Sequence, residues 1–330
     1  MRIGKAPTRK VHMEYKPEEI TCAILVHIPN LLGYYEQRLD IFKACLLSMT
    51  QNAGIPHQML VFDNASCKEV SDEISKLQRE GIIDIVVRLN ENVGKYWAMR
   101  WLFWIAPGKV IAYTDDDMLF FPGWLEESMS ILSHFPNVGC VSVYPFRPQG
   151  QVQHLTCKST IEWAEKNATL TRDRVIPEWW DKMTIQSVGR SWDEYIAKSS
   201  EDQEYIVEYE GKKAIIQGHH CQFIGYKANL LKIPQVATDQ LMGNCLSFDH
   251  MMDQGGFLRL NTYGGYAMHI GNIIDPDLWS VMRKIGIKDN NIGHVRTPPV
   301  GSWFVLKIKP LKKILESMYE WLYWSLSRTT

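Results

Sequence analysis

Through the first 145 residues, short apolar runs closed by turn residues alternate with longer segments whose apolar residues recur at helical spacing. Residues 22–28 read as a buried strand ended by Pro29 and Asn30, and residues 38–49 as a helix with Leu39, Phe42, Leu46 and Met49 on one stripe. A second strand over 58–62 closes on Asp63-Asn64, and 70–77 is helical. A third strand spans 82–89, a helix over 95–105 stops at Pro107-Gly108, and a fourth strand over 110–113 runs into Asp115-Asp116-Asp117. Strands this apolar must be covered on both sides. That predicts an α/β fold: a mostly parallel central sheet with helices on both faces. In such sheets ligands bind beyond the carboxyl ends of the strands, which is where Asp63, Asn92 and the three aspartates fall.

From 149 to 217 the texture changes, with Trp163, Trp179, Trp180 and Trp192 interleaved with charges at neither helical nor strand spacing. This stretch is expected to be an insertion of short helices and loops. Strand character returns at 214–216 and 222–226, a helix is expected over 245–252, and another strand over 264–270. The resulting plan is a basic tail (1–18), a first half (19–148), the insertion (149–217), a second half (218–300) and a C-terminal helix (301–330).

A formal net charge of −1 excludes nucleic-acid binding held by bulk charge. Seven scattered cysteines, odd in number and without a CxxC pair, exclude a disulfide framework and a zinc knuckle. Residues 1–16 lack the apolar segment of a signal peptide, and no run reaches the roughly 18–20 apolar residues that span a bilayer. The expected compartment is the cytoplasm.

Three adjacent carboxylates at a strand end repel one another, and a divalent cation relieves that cost. Oxygen ligands suit Mg²⁺ or Mn²⁺. On an extended segment Asp115 and Asp117 face the same way, into one metal site, while Asp116 points elsewhere.

Tyr113 to Asp117, followed by Pro122-Gly123-Trp124-Leu125, resembles the DxD segment of family 2 inverting glycosyltransferases. Three further pieces agree in order and spacing. Residues 23–30 resemble the family's first strand and the turn (Ile28, Pro29, Asn30) that cradles the nucleotide. Residues 61–66 resemble its VDNGS segment, in which Asp63 would contact the base. Residues 92–98 resemble its NxGxxxA segment, with Asn92 and Gly94 at the donor loop and Lys95 placed to meet a phosphate. The resemblance implies a GT-A fold, a bound Mn²⁺ or Mg²⁺ and a nucleotide-sugar donor. A UDP-sugar is the first choice, with GDP- or dTDP-sugars as alternatives. Asp116 is counted with the donor contacts. The implied acceptor is a glycan or a lipid-linked sugar.

In the second half, Gly264 to Asn272 resembles the family's late strand that ends in a metal-contacting histidine, which implies His269 as a third ligand. His219 and His220 are read as packed or exposed rather than functional. An inverting enzyme also needs a carboxylate to take the acceptor proton. Laying Gly256-Phe257 on the family's Gly-aromatic pair puts Asn244-Cys245 where the Glu-Asp base motif belongs. Asp249, about one helical turn on, is therefore expected as the base, with Asp253 and Asp239 in reserve. The departure leaves open a retaining mechanism, or a non-catalytic carbohydrate- or nucleotide-binding relative. A sugar nucleotidyltransferase is the other alternative, disfavoured because His27-Ile28-Pro29-Asn30 replaces its glycine-rich loop.

Residues 310–326 carry Leu311, Ile314, Leu315, Met318 and Leu322 on one helical stripe, with lysines opposite and Trp303, Trp321 and Trp324 nearby. This pattern predicts a helix that packs on the body or touches the inner face of the membrane as a peripheral contact.

Overall fold

The first strand, β1 (Ile20–Val26), is buried at every position, and its alternate residues feed two separate cores. Cys22, Ile24 and Val26 pack with Phe42, Cys45 and Leu46, whereas Ala23 and Leu25 pack with Met99, Leu102 and Phe103. Successive strand residues point to opposite faces, so the helix α1 (Arg38–Gln51) and the helix α3 (Lys95–Ile105) cover opposite sides of the sheet. The computed structural model describes residues 6–147, 156–199, 202–235, 238, 240–243 and 245–288.

The strands that follow are β2 (Gln58–Asn64), β3 (Ile85–Leu89), β4 (Val110–Asp115), β5 (Met118–Phe120) and β6 (Val138–Ser142). Between them lie α2 (Lys68–Arg79) and α4 (Trp124–His134). Then come α5 (Lys158–Asn167), β7 (Thr169–Asp173), α6 (Glu178–Ser187), α7 (Trp192–Ser199), β8 (Glu204–Tyr209), β9 (Lys212–Ile216) and β10 (Gln222–Tyr226). The described chain closes with α8 (Lys227–Leu230), α9 (Cys245–Gln254), β11 (Leu258–Asn261), β12 (Ala267–His269) and α10 (Pro276–Lys284).

The main sheet has ten strands in the order β3-β2-β1-β4-β10-β6-β11-β9-β8-β7. Its first four are parallel, so the ends of β1, β2, β3 and β4 share one edge. β10 pairs antiparallel with β4, with Gln222 opposite Thr114, which brings the segment entering β10 to that same edge. The α/β expectation and the sheet of its first half therefore hold.

The insertion differs from the short helices and loops expected of it. It supplies α5, α6 and α7, but also β7 and β8, which with β9 lengthen the main sheet. β7 is exposed at nearly every position, so it lacks the apolar alternation that marks a strand. β8 hides a charge: Glu204 is fully buried, its Oε1 3.2 Å from Arg147 Nε, and Arg147 also meets Asp181 at 2.9 Å. A buried ion triad reads in sequence as surface.

The strand expected over 264–270 is only three residues long. It forms a separate two-stranded sheet with β5, in which His269 lies opposite Met118. A third core, built from Ile41 and Leu47 of α1, Trp180 of α6 and Trp279 and Met282 of α10, packs α1 against this small sheet.

Candidate active site

The shared edge gathers three loops. After β1, the Ile28 N–H donates to Ser66 Oγ at 3.0 Å and its carbonyl accepts from Cys67 N at 2.8 Å. Beyond it, Pro29 is half-buried and Asn30 Oδ1 accepts from Leu32 N at 3.0 Å. Asp63, expected to contact a base, is fully buried and held by protein donors. Ser66 N donates to Oδ1 at 2.8 Å, while Ser71 Oγ at 2.7 Å and Arg88 Nε at 3.1 Å donate to Oδ2. These bonds fix the turn into α2. Asn64 then bonds Asn92 Oδ1 at 2.9 Å, and that oxygen also accepts from Gly94 N at 2.8 Å. Gly94 has φ +83°, and a Cβ there would sit 3.1 Å from the Leu241 carbonyl. The expected donor-loop residues thus form one hydrogen-bonded frame.

The three aspartates diverge. Asp115 Oδ2 lies 2.5 Å from Lys95 Nζ, and its Oδ1 accepts from Tyr113 OH at 2.8 Å. Asp116 is buried against the Arg38 guanidinium, and its Oδ2 is buried with no hydrogen-bond partner. Asp117 Oδ2 accepts from Arg38 Nη1 at 2.9 Å and lies 3.3 Å from His269 Nε2. The other ring nitrogen of His269, Nδ1, is 2.9 Å from Ser187 Oγ at the end of α6. The backbone sets this approach: Ile270 N donates to the Asp117 carbonyl at 2.9 Å, locking β12 beside the aspartates. Gly271 follows with φ +68°, where a Cβ would sit only 2.7 Å from the Ser187 carbonyl.

Electrostatics separate the carboxylates further. Burial pushes the Asp116 carboxyl up to about 6, against the pull of the Arg38 charge. Burial works the same way on Asp117, but His269 and Arg38 outweigh it and hold that carboxyl well below the usual range. In return, Asp117 raises His269 against the burial that would lower it.

Among the described residues no three His, Cys, Asp or Glu side chains are gathered to hold a metal ion. The expected trio of Asp115, Asp117 and His269 is not drawn together. What is drawn together is Asp117 with His269, whose ring is oriented through Nδ1 so that Nε2 faces the carboxylate. A carboxylate and an oriented imidazole with a hydrogen-bonded far nitrogen fit a divalent cation. Mg²⁺-like ions commonly take only one or two protein ligands and complete their shell with phosphate and water.

Across β4 the site continues into a second buried cluster. Asp115 N donates to the Cys221 carbonyl at 2.8 Å, so His220 sits directly beside the aspartate edge. His220 Nδ1 is 2.9 Å from Asp249 Oδ2, and Asp249 Oδ1 lies 2.5 Å from Arg259 Nη2. Arg259 is wholly buried on β11. Burial alone would raise Asp249, but Arg259 and His220 reverse this and keep it ionised. Next to it, His219 is buried between Tyr144 and Phe146, with ring centroids 5.5 and 4.5 Å away, and burial lowers it to about 3.

The expected base, Asp249, thus has each oxygen engaged, one by Arg259 and one by His220. Asp253 accepts from Ser159 N at 2.9 Å and Oγ at 2.8 Å, which caps α5 rather than serving the site. Asp239, Asn244 and the helix expected at 310–326 lie outside the described residues. Arg38 and Ser187 were not singled out by sequence reasoning, and His220 was read as packed or exposed rather than functional. A signal existed for Arg38, because a cation in the first turn of a helix opposes the helix dipole and calls for an acidic partner. For Ser187 there was none.

Residues 34–188 match the family model described as glycosyl transferase family 2. The match includes Arg38, the three aspartates and Ser187, and it ends before His220, Asp249 and His269. Among solved structures, the chain is similar to a mannosyltransferase, PcManGT from Pyrobaculum calidifontis, in complex with GDP-Man and Mn²⁺. The identity is 14% over 83% of this chain and 65% of that one, with a TM-score of 0.44. It is also similar to residues 1–349 of S. aureus TarS, at 10% identity over 76% of this chain and 60% of that one, TM-score 0.41. A third is GalNAc-T7 with UDP, GalNAc and Mn²⁺, at 13% identity over 77% and 44%, TM-score 0.43. The chain spans 65% or less of the length of each of these three. No curated protein matches the chain.

Proposed function

Because residues 34–188 match the model of glycosyl transferase family 2, we propose that the chain transfers a sugar from a nucleoside diphosphate sugar to an acceptor hydroxyl. The observation that carries this reading is the approach of His269 Nε2 to within 3.3 Å of Asp117 Oδ2 at the carboxyl edge of the parallel strands. Asp117 and His269 would hold a divalent cation, Mn²⁺ or Mg²⁺, which when bound neutralises charge developing on the diphosphate leaving group. Ser187 orients the imidazole, and Arg38 fixes the Asp117 carboxylate.

Lys95 pairs with Asp115 at the head of α3, where a donor phosphate would also be attracted. Ile28, Pro29, Asn30, Asn64 and Asn92 shape the loop frame for the nucleoside. Transfer by single displacement, with inversion, requires a base for the acceptor proton. His220 supplies it. Its Nδ1 is directed at Asp249, and the buried carboxylate orients the ring and stabilises its charged form. Arg259 holds Asp249 in turn.

The test is isothermal titration with UDP, GDP and dTDP in the presence and absence of Mn²⁺, followed by assay of nucleoside diphosphate release from the matching sugars. Metal-dependent binding of one nucleotide supports the reading. Binding of none, or equal binding with chelator, overturns it.

A further inference from the structure

The helix α3 is dressed the wrong way round for a surface helix. Its sequence, KYWAMRWLFWI, has two charged residues, and both turn toward the protein. Lys95 reaches Asp115, and Arg100 donates to the carbonyls of Ile233 at 2.9 Å and Leu231 at 3.0 Å. The solvent side carries Trp97, Trp101 and Trp104, which are 45%, 40% and 65% exposed, with Ile105 beside them at 44%. Their spacing puts them on successive turns of one face, and the rings of Trp97 and Trp101 lie 6.5 Å apart. At the start of the helix the stripe continues into Leu241 and Met242, 57% and 61% exposed, because Lys95 N donates to the Leu241 carbonyl at 2.7 Å. A contiguous exposed apolar face of this kind marks an interaction surface.

The far end of the stripe carries positive charge. Lys227 Nζ donates to the Trp104 and Ala106 carbonyls at the end of α3, and its N–H donates to the Lys109 carbonyl at 2.8 Å. Lys109 and Lys232 are exposed. Among the described residues none of Arg100, Lys109, Lys227 and Lys232 is paired with a carboxylate. Glu19 adjoins this corner through its backbone, its carbonyl accepting from Val110 N at 3.0 Å. Indole rings settle at the depth of lipid headgroups, where an apolar ring meets water and polar groups at once, and unpaired lysines beside them attract anionic lipids.

We propose that the tryptophan face of α3, with Leu241 and Met242, docks onto an anionic membrane surface. Among the described residues no helix is long and apolar enough to cross a membrane, so the contact is one of lying on the bilayer. Because α3 begins at Lys95, beside Asp115, docking sets the candidate active site close to the lipid plane. The inference stands on the surface alone and survives if the reaction proposed above is wrong.

The test is co-sedimentation of the full chain with phosphatidylcholine vesicles, with and without phosphatidylglycerol, at low and high salt. A Trp97→Ser/Trp101→Ser/Trp104→Ser variant and a Lys109→Glu/Lys232→Glu variant are compared with wild type. All changes are on the surface, and an unaltered melting temperature confirms folding. Binding of wild type to the anionic vesicles is expected, reduced about tenfold or more in the tryptophan variant. In the lysine variant the salt-sensitive part is expected to be lost. In the chain labelled with 5-fluorotryptophan, spin-labelled lipid should broaden the Trp101 and Trp104 resonances. Absence of binding overturns the proposal. So does binding that leaves those resonances sharp, since another segment then makes the contact. Concentration-dependent dimerisation abolished by the tryptophan variant, without vesicle binding, overturns it in favour of a second copy.

Discussion

Arg38 Nη1 lies 2.9 Å from Asp117 Oδ2, joining the first turn of α1 to the strand-end aspartates 79 residues later. The same guanidinium holds Asp116, so one buried cation compensates a buried and a partly buried carboxylate.

Arg38→Met should therefore destabilise the fold by about 3–5 kcal/mol, the usual cost of leaving a buried charge unpaired. Urea denaturation without divalent ions measures it. Mn²⁺ should restore part of the loss in this variant, by binding the native state. Stability equal to wild type would show that the ion pairs contribute nothing.

The metal assignment distinguishes Asp117 from Asp115. Asp117→Asn and His269→Ala should abolish Mn²⁺-dependent nucleoside diphosphate binding, and Asp115→Asn should weaken it without removing the metal dependence. Ser187→Ala, which frees the ring only at Nδ1, should cost roughly 10–100-fold in metal affinity. Titration calorimetry reads all four. Loss of metal dependence in Asp115→Asn, with Asp117→Asn unaffected, would reverse the assignment.

For the base, His220→Gln should lower turnover by about 10²–10⁴-fold while donor affinity stays at the wild-type value. Asp249→Asn should reduce turnover as well, but it leaves Arg259 buried without its carboxylate and should also lower the melting temperature. Normal turnover in His220→Gln would overturn the assignment of His220 as the base.

His219 gives a stability signature. Burial lowers it to about 3 in the folded state, against about 6.5 when unfolded. Between those values the unfolded chain binds more protons, so the stabilising contribution is complete above about pH 6.5 and falls as pH drops toward 3. The slope for one proton is at most about 1.4 kcal/mol per pH unit. The stability difference between wild type and His219→Phe, taken across pH 4–7, should shift in that direction. A pH-independent difference would mean that the imidazole is protonated inside the fold.

The sheet's first half was legible because its signals are local. The helix over 95–105 coincides with α3, and the strand over 222–226 with β10. The aspartates at a strand end were visible for the same reason. Contacts made by distant residues were not. His220 shows no pattern in sequence, and its role depends on Asp249 arriving 29 residues later on α9. Asp63 was visible as a turn residue, but its burial against Arg88 and Ser71 follows from packing. The helix α3 is apolar nearly all round, a pattern that normally goes with burial. Only the fold reveals which side of that helix is left bare.

The position of β10 between β4 and β6 has a consequence for how the chain is made. β4 ends at Asp115, and its outer neighbour begins only at Gln222. At about 5–20 residues per second of synthesis, on the order of 5–20 s pass before that neighbour emerges. For that interval the nascent β3-β2-β1-β4 unit presents an unpaired, largely apolar strand edge, the kind of template that captures other strands. Late closure of the sheet makes the half-made chain a natural client for chaperones, and a truncation anywhere between β4 and β10 a source of aggregate.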